Sequence, residues 1–359
     1  MNKKTLIIAL SIIAIMIIII ISGLTWYITG TYPVNKQNSE EKIIEITSGT
    51  RTEEIVNQLK EQKLIKNSFI AKVYMKLNGV KGLQAGRYQL NQTMSLKEII
   101  NKISSGDIYN ETVKITFKEG KNMRWIAKEI EENTNNSQDD IFNLLKNEQY
   151  IKTLIQKHWF LEDIIMNENI YYPLEGYLYP DTYIFKNKDV SVETIFDTML
   201  KKEEDILSKY RTQIENSGKS VHEILTIASI VELEGNDSEA RNGISSVIYN
   251  RLKANMSLGS DVTTYYAIKV DMGERNLYSS ELQTSNPYNT RGPNMNGKLP
   301  IGPVANPSEE SINAALNPTN TNYLYFVADR NGKIYFTTTY QEHQNLIKEL
   351  QKQGLWYEY

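Results

Sequence analysis

The chain has 359 residues, with 40 Lys and Arg against 43 Asp and Glu, 3 histidines and no cysteine. This length leaves room for about two or three domains. The near-neutral charge argues against a nucleic-acid partner, because neutralising phosphates requires a concentrated basic surface. The lack of cysteine excludes disulfides, zinc fingers and cysteine nucleophiles, and the histidines are too scattered for a metal-binding helix. We therefore predict no cofactor, no metal and no nucleic acid, with a calcium site built from carboxylates as the one metal site that this composition leaves open.

An uncharged apolar segment occupies residues 6–28 and follows Lys3 and Lys4. As a helix it spans roughly 34 Å, enough to cross a hydrocarbon core of about 30 Å. A cleaved signal peptide is the alternative, but the segment is longer than the apolar region of such peptides and no A-x-A-like site follows. We predict residues 1–5 as a cytoplasmic tail and 6–28 as a single-pass transmembrane helix in the cell membrane, with the rest of the chain extracytoplasmic.

Residues 29–42 lack apolar periodicity and predict an exposed linker. After the linker, a degenerate repeat indicates two copies of an alternating strand, a glycine turn and an amphipathic helix. The copies are offset by about 71 residues and pair Ile44 with Ile115, Ile46 with Phe117, Gly49 with Gly120, Ile55 with Ile126, Val56 with Ala127, and Leu59 with Ile130.

The first copy opens a predicted α+β module over residues 43–108. A strand at 86–90 precedes a helix that starts at Ser95, forms a capping box with Glu98 and ends before Gly106. This module resembles LysM-like domains, which hold cell-wall glycans, although a spacer of the same shape fits equally well. Residues 109–170 predict a second strand and helix subdomain, and the composition changes at residue 171.

Residues 171–359 predict a mixed α/β domain. Tyrosine, proline and glycine concentrate at 171–185, which suits either stacking on sugar rings or buried aromatics with a wet edge. The segment at 284–307 is a long Pro, Gly and Asn loop, typical of functional loops. Strands at 322–328 and 333–339 flank an Asn-Gly turn and predict a hairpin. A last helix follows.

The helix predicted over residues 221–234 carries the most promising acid. On a helical wheel, Glu232 lies roughly 60° from the centre of the apolar stripe and Glu234 roughly 100° away. We expect apolar walls around Glu232, which would raise its pKa and suit a general acid. The alternative is a structural glutamate satisfied by an arginine or a backbone amide.

Seven motifs follow one another in the outer part of the chain. They are LEGYLYPDTY at 174–183, ASIVELE at 228–234, IYNRL at 248–252, LGSD at 258–261, NPYNT at 286–290, LPIGPVANP at 299–307 and YLYFVA at 323–328. In their order and spacing the chain resembles the endolytic murein (peptidoglycan) transglycosylases over nearly all of its outer part, with Ile301 and Ile334 as departures from the usual proline and histidine.

This resemblance implies cleavage of nascent peptidoglycan glycan strands between N-acetylmuramic acid (MurNAc) and N-acetylglucosamine (GlcNAc), leaving 1,6-anhydroMurNAc ends. The first Glu of ASIVELE matches the family's catalytic glutamate, so Glu232 is expected to act first as acid and then as base. The resemblance also implies penicillin-binding synthases and the elongation or division machinery as partners. A non-catalytic peptidoglycan-binding scaffold and a muramidase-type hydrolase remain the alternatives; the hydrolase would need a second, well-placed acid.

Other site residues follow from the same motifs. Glu175 and Glu234 are expected either to hold the polar network of the site or to form salt bridges. The remaining matches are expected to line the glycan cleft, with turn and capping roles as the alternative. These are Asp261, Asn286, Tyr288 and Asn289.

Overall fold

The computed structural model describes residues 3–109 and 112–356 and gives a mixed α+β protein with small two-stranded sheets. Its first helix, α1 (Lys3–Gly30), contains the predicted membrane segment. Within the described residues, α1 is the one helix long and apolar enough to cross a membrane. Residues 1 and 2 of the predicted tail, 110 and 111 of the predicted second subdomain, and 357–359 of the predicted last domain lie outside the described residues.

The first compact unit ends at Glu111 and packs two strands and three helices around one apolar core. The strands are antiparallel, with Ile44 opposite Tyr88. The predicted capping box is confirmed, because the Ser95 N–H donates to Glu98 Oε2 at 2.7 Å. After α1, the elements are β1 (Lys42–Ile46), α2 (Thr52–Glu61), α3 (Ser68–Leu77), β2 (Gly86–Leu90) and α4 (Leu96–Ser105).

The second compact unit begins at Thr112 and is mostly helical, with two antiparallel strand pairs, β3 with β4 and β5 with β6. A short 3-10 turn at Asp163–Met166 precedes β4. The elements are β3 (Val113–Thr116), α5 (Met123–Asn133), α6 (Gln138–Leu145), α7 (Glu148–Lys157), β4 (Thr182–Phe185), α8 (Val192–Ser217), α9 (Val221–Glu234), α10 (Ser238–Lys253), α11 (Asp261–Ala267), α12 (Ser279–Leu282), α13 (Glu309–Leu316), β5 (Tyr325–Ala328), β6 (Ile334–Thr337) and α14 (Tyr340–Lys352).

The predicted repeat is present as a repeated element order. A strand, a glycine turn and a helix form at β1 and α2, and again at β3 and α5. All ten apolar positions of the repeat are buried, each copy in the core of its own unit. The spacing of apolar side chains therefore predicted both copies well, because strand and helix periods fix which side chains face inward.

One predicted boundary differs from the structure. Composition divided the outer part between residues 170 and 171, but β3 from the first side of that division pairs with β4 from the other. One apolar core also includes residues from both sides. Composition changes reveal segments with different chemistry, whereas strand pairing joins segments far apart in sequence.

The helix that carries Glu232 lies at the centre of the second unit. Ser220 caps α9, and every residue from Val221 to Val231 except Glu223 is buried, so the helix is enclosed on nearly all sides rather than along one stripe. Helices α10, α11 and α13 pack against it. Apart from Glu223, this packing leaves only the last turn of α9, with its two glutamates, partly exposed.

Candidate active site

Glu232 lies in the last turn of α9 and has polar partners on both carboxylate oxygens. Oε2 accepts the Ser308 N–H at 2.9 Å and the Ser311 hydroxyl at 2.7 Å, together with the Ser308 hydroxyl. Oε1 faces Arg241 Nη2 at 3.3 Å. Only 6% of the side-chain surface is exposed. The carboxylate is therefore held in a fixed orientation on a side chain that is almost fully enclosed.

The surroundings of Glu232 differ from the apolar walls expected from the helical wheel. Ser308 is the N-cap of α13, so the carboxylate lies at the amino end of that helix, where backbone dipoles favour negative charge. The wheel describes α9 alone and carries no information on residues 305–311, which fold onto its end. An arginine and a backbone amide are also the partners expected of a structural glutamate, so these contacts alone do not separate the two readings.

A second acid lies near Glu232. Glu119 lies in the turn after β3, next to Gly120. A Cβ added at Gly120 would lie 3.6 Å from Glu232 Cγ. Burial and then the nearby charge of Glu232 raise the pKa of Glu119, while Arg241 lowers it. The turn of the second repeat copy thus brings a carboxyl and a glycine against the end of α9.

Asn306 holds this turn in place. The Gly120 N–H donates to the Asn306 carbonyl at 2.9 Å, and the Asn306 N–H and side-chain amide both donate to the Lys121 carbonyl. Asn306 Nδ2 also contacts Glu175 Oε1 at 3.3 Å. The LPIGPVANP motif therefore links the turn at Gly120 to the buried Glu175.

Glu175 is 2% exposed and lies at the amino end of α5. Both of its oxygens accept the Met123 N–H, at 3.1 and 2.9 Å, and Oε2 accepts the Tyr266 hydroxyl at 2.9 Å. Burial raises the pKa of Glu175 to about 7, although these hydrogen bonds lower it. Of the two predicted roles, the contacts match that of a group in the polar network.

Glu234 and Asp261 belong to a different cluster. Glu234 Oε1 accepts the Ser260 hydroxyl at 2.6 Å, and burial raises the pKa of Glu234. Asp261 pairs with Arg291 on the surface. Within the described part of the chain, neither acid shares a hydrogen bond with Glu232.

The residues of the NPYNT motif make both local and long-range contacts. Tyr288 and Asn289 are fully buried, so they do not line an open cleft as expected. Asn289 Nδ2 donates to the Thr284 carbonyl at 2.8 Å, which matches the turn role kept as the alternative. Asn286 Nδ2 donates to the Tyr171 hydroxyl at 2.7 Å and so joins the loop to a residue 115 positions away.

Sequence reasoning missed the side chains that contact Glu232. Ser308 directly follows the LPIGPVANP motif, and Ser311 stands three residues later, so the motif's end was the available signal. Glu119 adjoins the repeated glycine of the second copy. Arg241 gave no signal of its own, because one arginine on an amphipathic helix is ordinary.

The family comparison agrees with this architecture. The profile of the YceG-like family matches residues 44–349, which include both repeat copies, Glu232 and the hairpin strands. The chain belongs to the YceG-like family. The resemblance inferred from the motif series is therefore confirmed.

Individual relatives extend over most of the chain. It is 38% identical over 320 residues to the endolytic murein transglycosylase of Bacillus subtilis (strain 168), covering 88% of this chain and 86% of the relative. It is 29% identical over 343 residues to that of Streptococcus pneumoniae serotype 2, covering 91% of this chain and 61% of that longer relative. A crystal structure of a yceG-like protein from Listeria monocytogenes has a TM-score of 0.62 at 34% identity and covers 86% of this chain and 99% of its own.

Proposed function

We propose that this protein is a membrane-anchored peptidoglycan lytic transglycosylase that cuts nascent glycan strands between MurNAc and GlcNAc and leaves 1,6-anhydroMurNAc ends. Glu232 is the catalytic residue, acting as acid and then as base. The name of the Bacillus subtilis relative, which matches along 86% of that relative's length, supports the activity.

One geometric observation carries the assignment of Glu232. The Glu232 carboxyl is fixed by the end of α13, while Gly120, which has no side chain, lies against the Glu232 side chain and also lines a cavity. A purely structural glutamate needs the first contact but not the second. The cavity beside Gly120 gives a substrate a place next to Glu232, with Glu119 close by.

The mechanism uses one carboxyl in two steps. Protonated Glu232 gives its proton to the glycosidic oxygen as the bond from C1 to that oxygen breaks. The C6 hydroxyl of the same sugar then attacks C1, and Glu232 takes the hydroxyl proton, so the acid is regenerated and no water is consumed. The Ser308 and Ser311 hydroxyls can each donate or accept, which lets their contacts with Glu232 persist in both protonation states.

The products test this proposal. Full-length protein in detergent is incubated with uncrosslinked peptidoglycan strands, and the new ends are examined by mass spectrometry. We expect anhydro ends, which are one water lighter than hydrolysed reducing ends. Strands bound but left intact would instead indicate a non-catalytic scaffold.

A muramidase-type hydrolase is the second candidate, and the presence of Glu119 favours it over the non-catalytic scaffold. Hydrolysis with a water or carboxylate nucleophile needs a second acid near the first, and Glu119 is the acid whose pKa the charge of Glu232 raises. The same mass spectra decide between the two, because hydrolysis gives reducing ends that retain the added water.

We also propose that α1 anchors the chain in a single pass with its N-terminus in the cytoplasm. The length of the apolar segment and the two lysines before it support this topology. Because the chain has no cysteine, a maleimide can label only the one cysteine that a substitution introduces. In intact cells, a membrane-impermeant maleimide should label Ser39→Cys in the linker but not Asn2→Cys; the reverse pattern contradicts the topology.

A further inference from the structure

A cavity of about 230 Å³ lies beside the end of α9. Gly120 and Leu233 form part of its wall. Gly120 lies against the Glu232 side chain, and Leu233 follows Glu232 in the sequence. The remaining lining residues are Lys121, Asn122, Trp125, Val262, Tyr265, Tyr266, Val270, Asp271, Met272 and Val304. The volume is below the range of drug-sized pockets and suits one ring of a longer ligand.

The lining combines an aromatic wall with a polar rim. Trp125 is half-buried and lines the cavity together with Tyr265 and Tyr266. Asn122 and Asp271 supply amide and carboxylate groups at the rim. Sugar rings present apolar C–H faces and polar edges, which match an aromatic platform with hydrogen-bonding groups around it.

The polar groups of the lining are already held in place. Asn122 Oδ1 accepts the Trp125 N–H at 3.1 Å, which fixes the start of α5. The tyrosine hydroxyls donate elsewhere, from Tyr265 to the Arg275 carbonyl and from Tyr266 to Glu175, each at 2.9 Å. Tyr266 is buried with its ring against those of Tyr171 and Tyr288, so the half-buried ring of Tyr265 is the one left as apolar surface.

The charge of the cavity favours a neutral ligand. Asp271 is paired with Arg124 at 2.5 Å, so the one acid of the lining is already neutralised. Lys121 Nζ lies 5.9 Å from the centroid of the Trp125 ring, at the rim. A single exposed lysine does not make a phosphate site, whereas a neutral N-acetylhexosamine ring needs no counter-charge.

We propose that this cavity binds one N-acetylhexosamine ring of the glycan strand, stacked on Trp125, next to the bond that Glu232 cleaves. The identity of the polymer rests on the proposed function. The binding site itself rests on the lining and on its contact with Gly120. A stem peptide in the same place is the competing occupant.

Binding is measured without cleavage to test the site. Full-length Glu232→Gln protein is titrated by calorimetry with a peptide-free tetramer of N-acetylglucosamine. Adding Trp125→Ala should raise the Kd about tenfold, and Trp125→Phe should restore most of the affinity, because a ring remains for stacking. Trp159→Ala is the matched control, since Trp159 is half-buried, stacks on Arg211 and does not line the cavity.

The outcomes separate the site from the reaction. The site is overturned if Trp125→Ala leaves the Kd unchanged, if Trp159→Ala lowers the affinity equally, or if Glu232→Gln does not bind the tetramer. It is also overturned if Trp125→Ala lowers the affinity only for peptide-bearing strands. Matched melting temperatures show that the variants are folded. Absence of anhydro ends from the unsubstituted protein, with Trp125-dependent binding intact, would overturn the proposed function and leave the sugar site standing.

Discussion

The two strand, turn and helix copies share a local fold but differ in what surrounds their turns. Gly49 and Gly120 both have positive φ, +87° and +68°. A Cβ at Gly49 would meet no described atom within 4 Å, whereas one at Gly120 would lie 3.4 Å from Leu233 and 3.6 Å from Glu232. The same turn is therefore open in the first copy and packed against the candidate active site in the second.

The helices that follow the turns also begin differently. In the first copy, Glu54 of α2 accepts the N–H of Arg51, so the helix start is held by its own residue. In the second copy, Glu175 accepts the N–H of Met123 from 52 residues further along the chain. This long-range hydrogen bond connects the start of α5, and the turn before it, to the segment that contains Glu175.

The largest expected effect is at the site itself. Glu232→Gln keeps the shape of the side chain but removes the proton transfer, so turnover should fall by about 10²–10⁴-fold. Glu223→Gln, on the first turn of the same helix, is the matched control and should keep activity within a few fold. Cleavage rates are measured on uncrosslinked strands. Comparable turnover by the two variants would exclude Glu232 as the catalytic group.

The next effect concerns the start of α5. The folded-state pKa of Glu175 is about 7, above its ordinary value of 4.5, so between these values the folded state binds more protons than the unfolded state. The contribution of Glu175 to stability is therefore present at low pH and lost as pH rises to about 7, by about 3 kcal/mol. Glu175→Gln should remove this decline.

Denaturant unfolding at pH 4 and pH 8 measures this contribution. The free energy of unfolding of Glu175→Gln, minus that of the unsubstituted protein, should be about 3 kcal/mol higher at pH 8 than at pH 4, because the variant keeps the stability that the unsubstituted protein loses. Glu54→Gln, at the corresponding start of α2, is the control for the first copy. If the difference between Glu175→Gln and the unsubstituted protein does not change with pH, the Glu175 carboxyl is not buried as described.

The smallest expected effect comes from the paired glycines. Gly49→Ala and Gly120→Ala should each lower the free energy of unfolding by about 1 kcal/mol, because both positions are left-handed. Only Gly120→Ala should slow cleavage, several-fold, because its methyl group would contact Glu232. Equal rates for the two variants would show that the Gly120 turn is as remote from the reaction as the Gly49 turn.

Local pattern predicted much of the fold. Apolar spacing located β1, α2, β3, α5 and α9, and the capping box at Ser95 fixed the start of α4. These features depend on residues a few positions apart, which a sequence displays directly. The pairing of β3 with β4 joins segments about 70 residues apart. The composition change at residue 171 instead predicted that these segments belong to different domains.

The surroundings of the candidate site could be predicted only in part, for a related reason. The helix pattern and the motif pointed to Glu232, but its partners Arg241, Ser308 and Ser311 come from two other helices. The motif residues Tyr288 and Asn289 are buried in their own loop. A sequence motif does not distinguish residues that contact a ligand from residues that stabilise the loop.

The most direct measurement is a crystal structure of the Glu232→Gln protein with a bound glycan oligomer. We predict that a glycosidic oxygen lies within about 3.2 Å of the residue 232 side chain and that an adjoining sugar ring stacks on Trp125. A glycan bound only to the first unit, with the side of Gly120 left empty, would contradict the assignment of the site to the second copy.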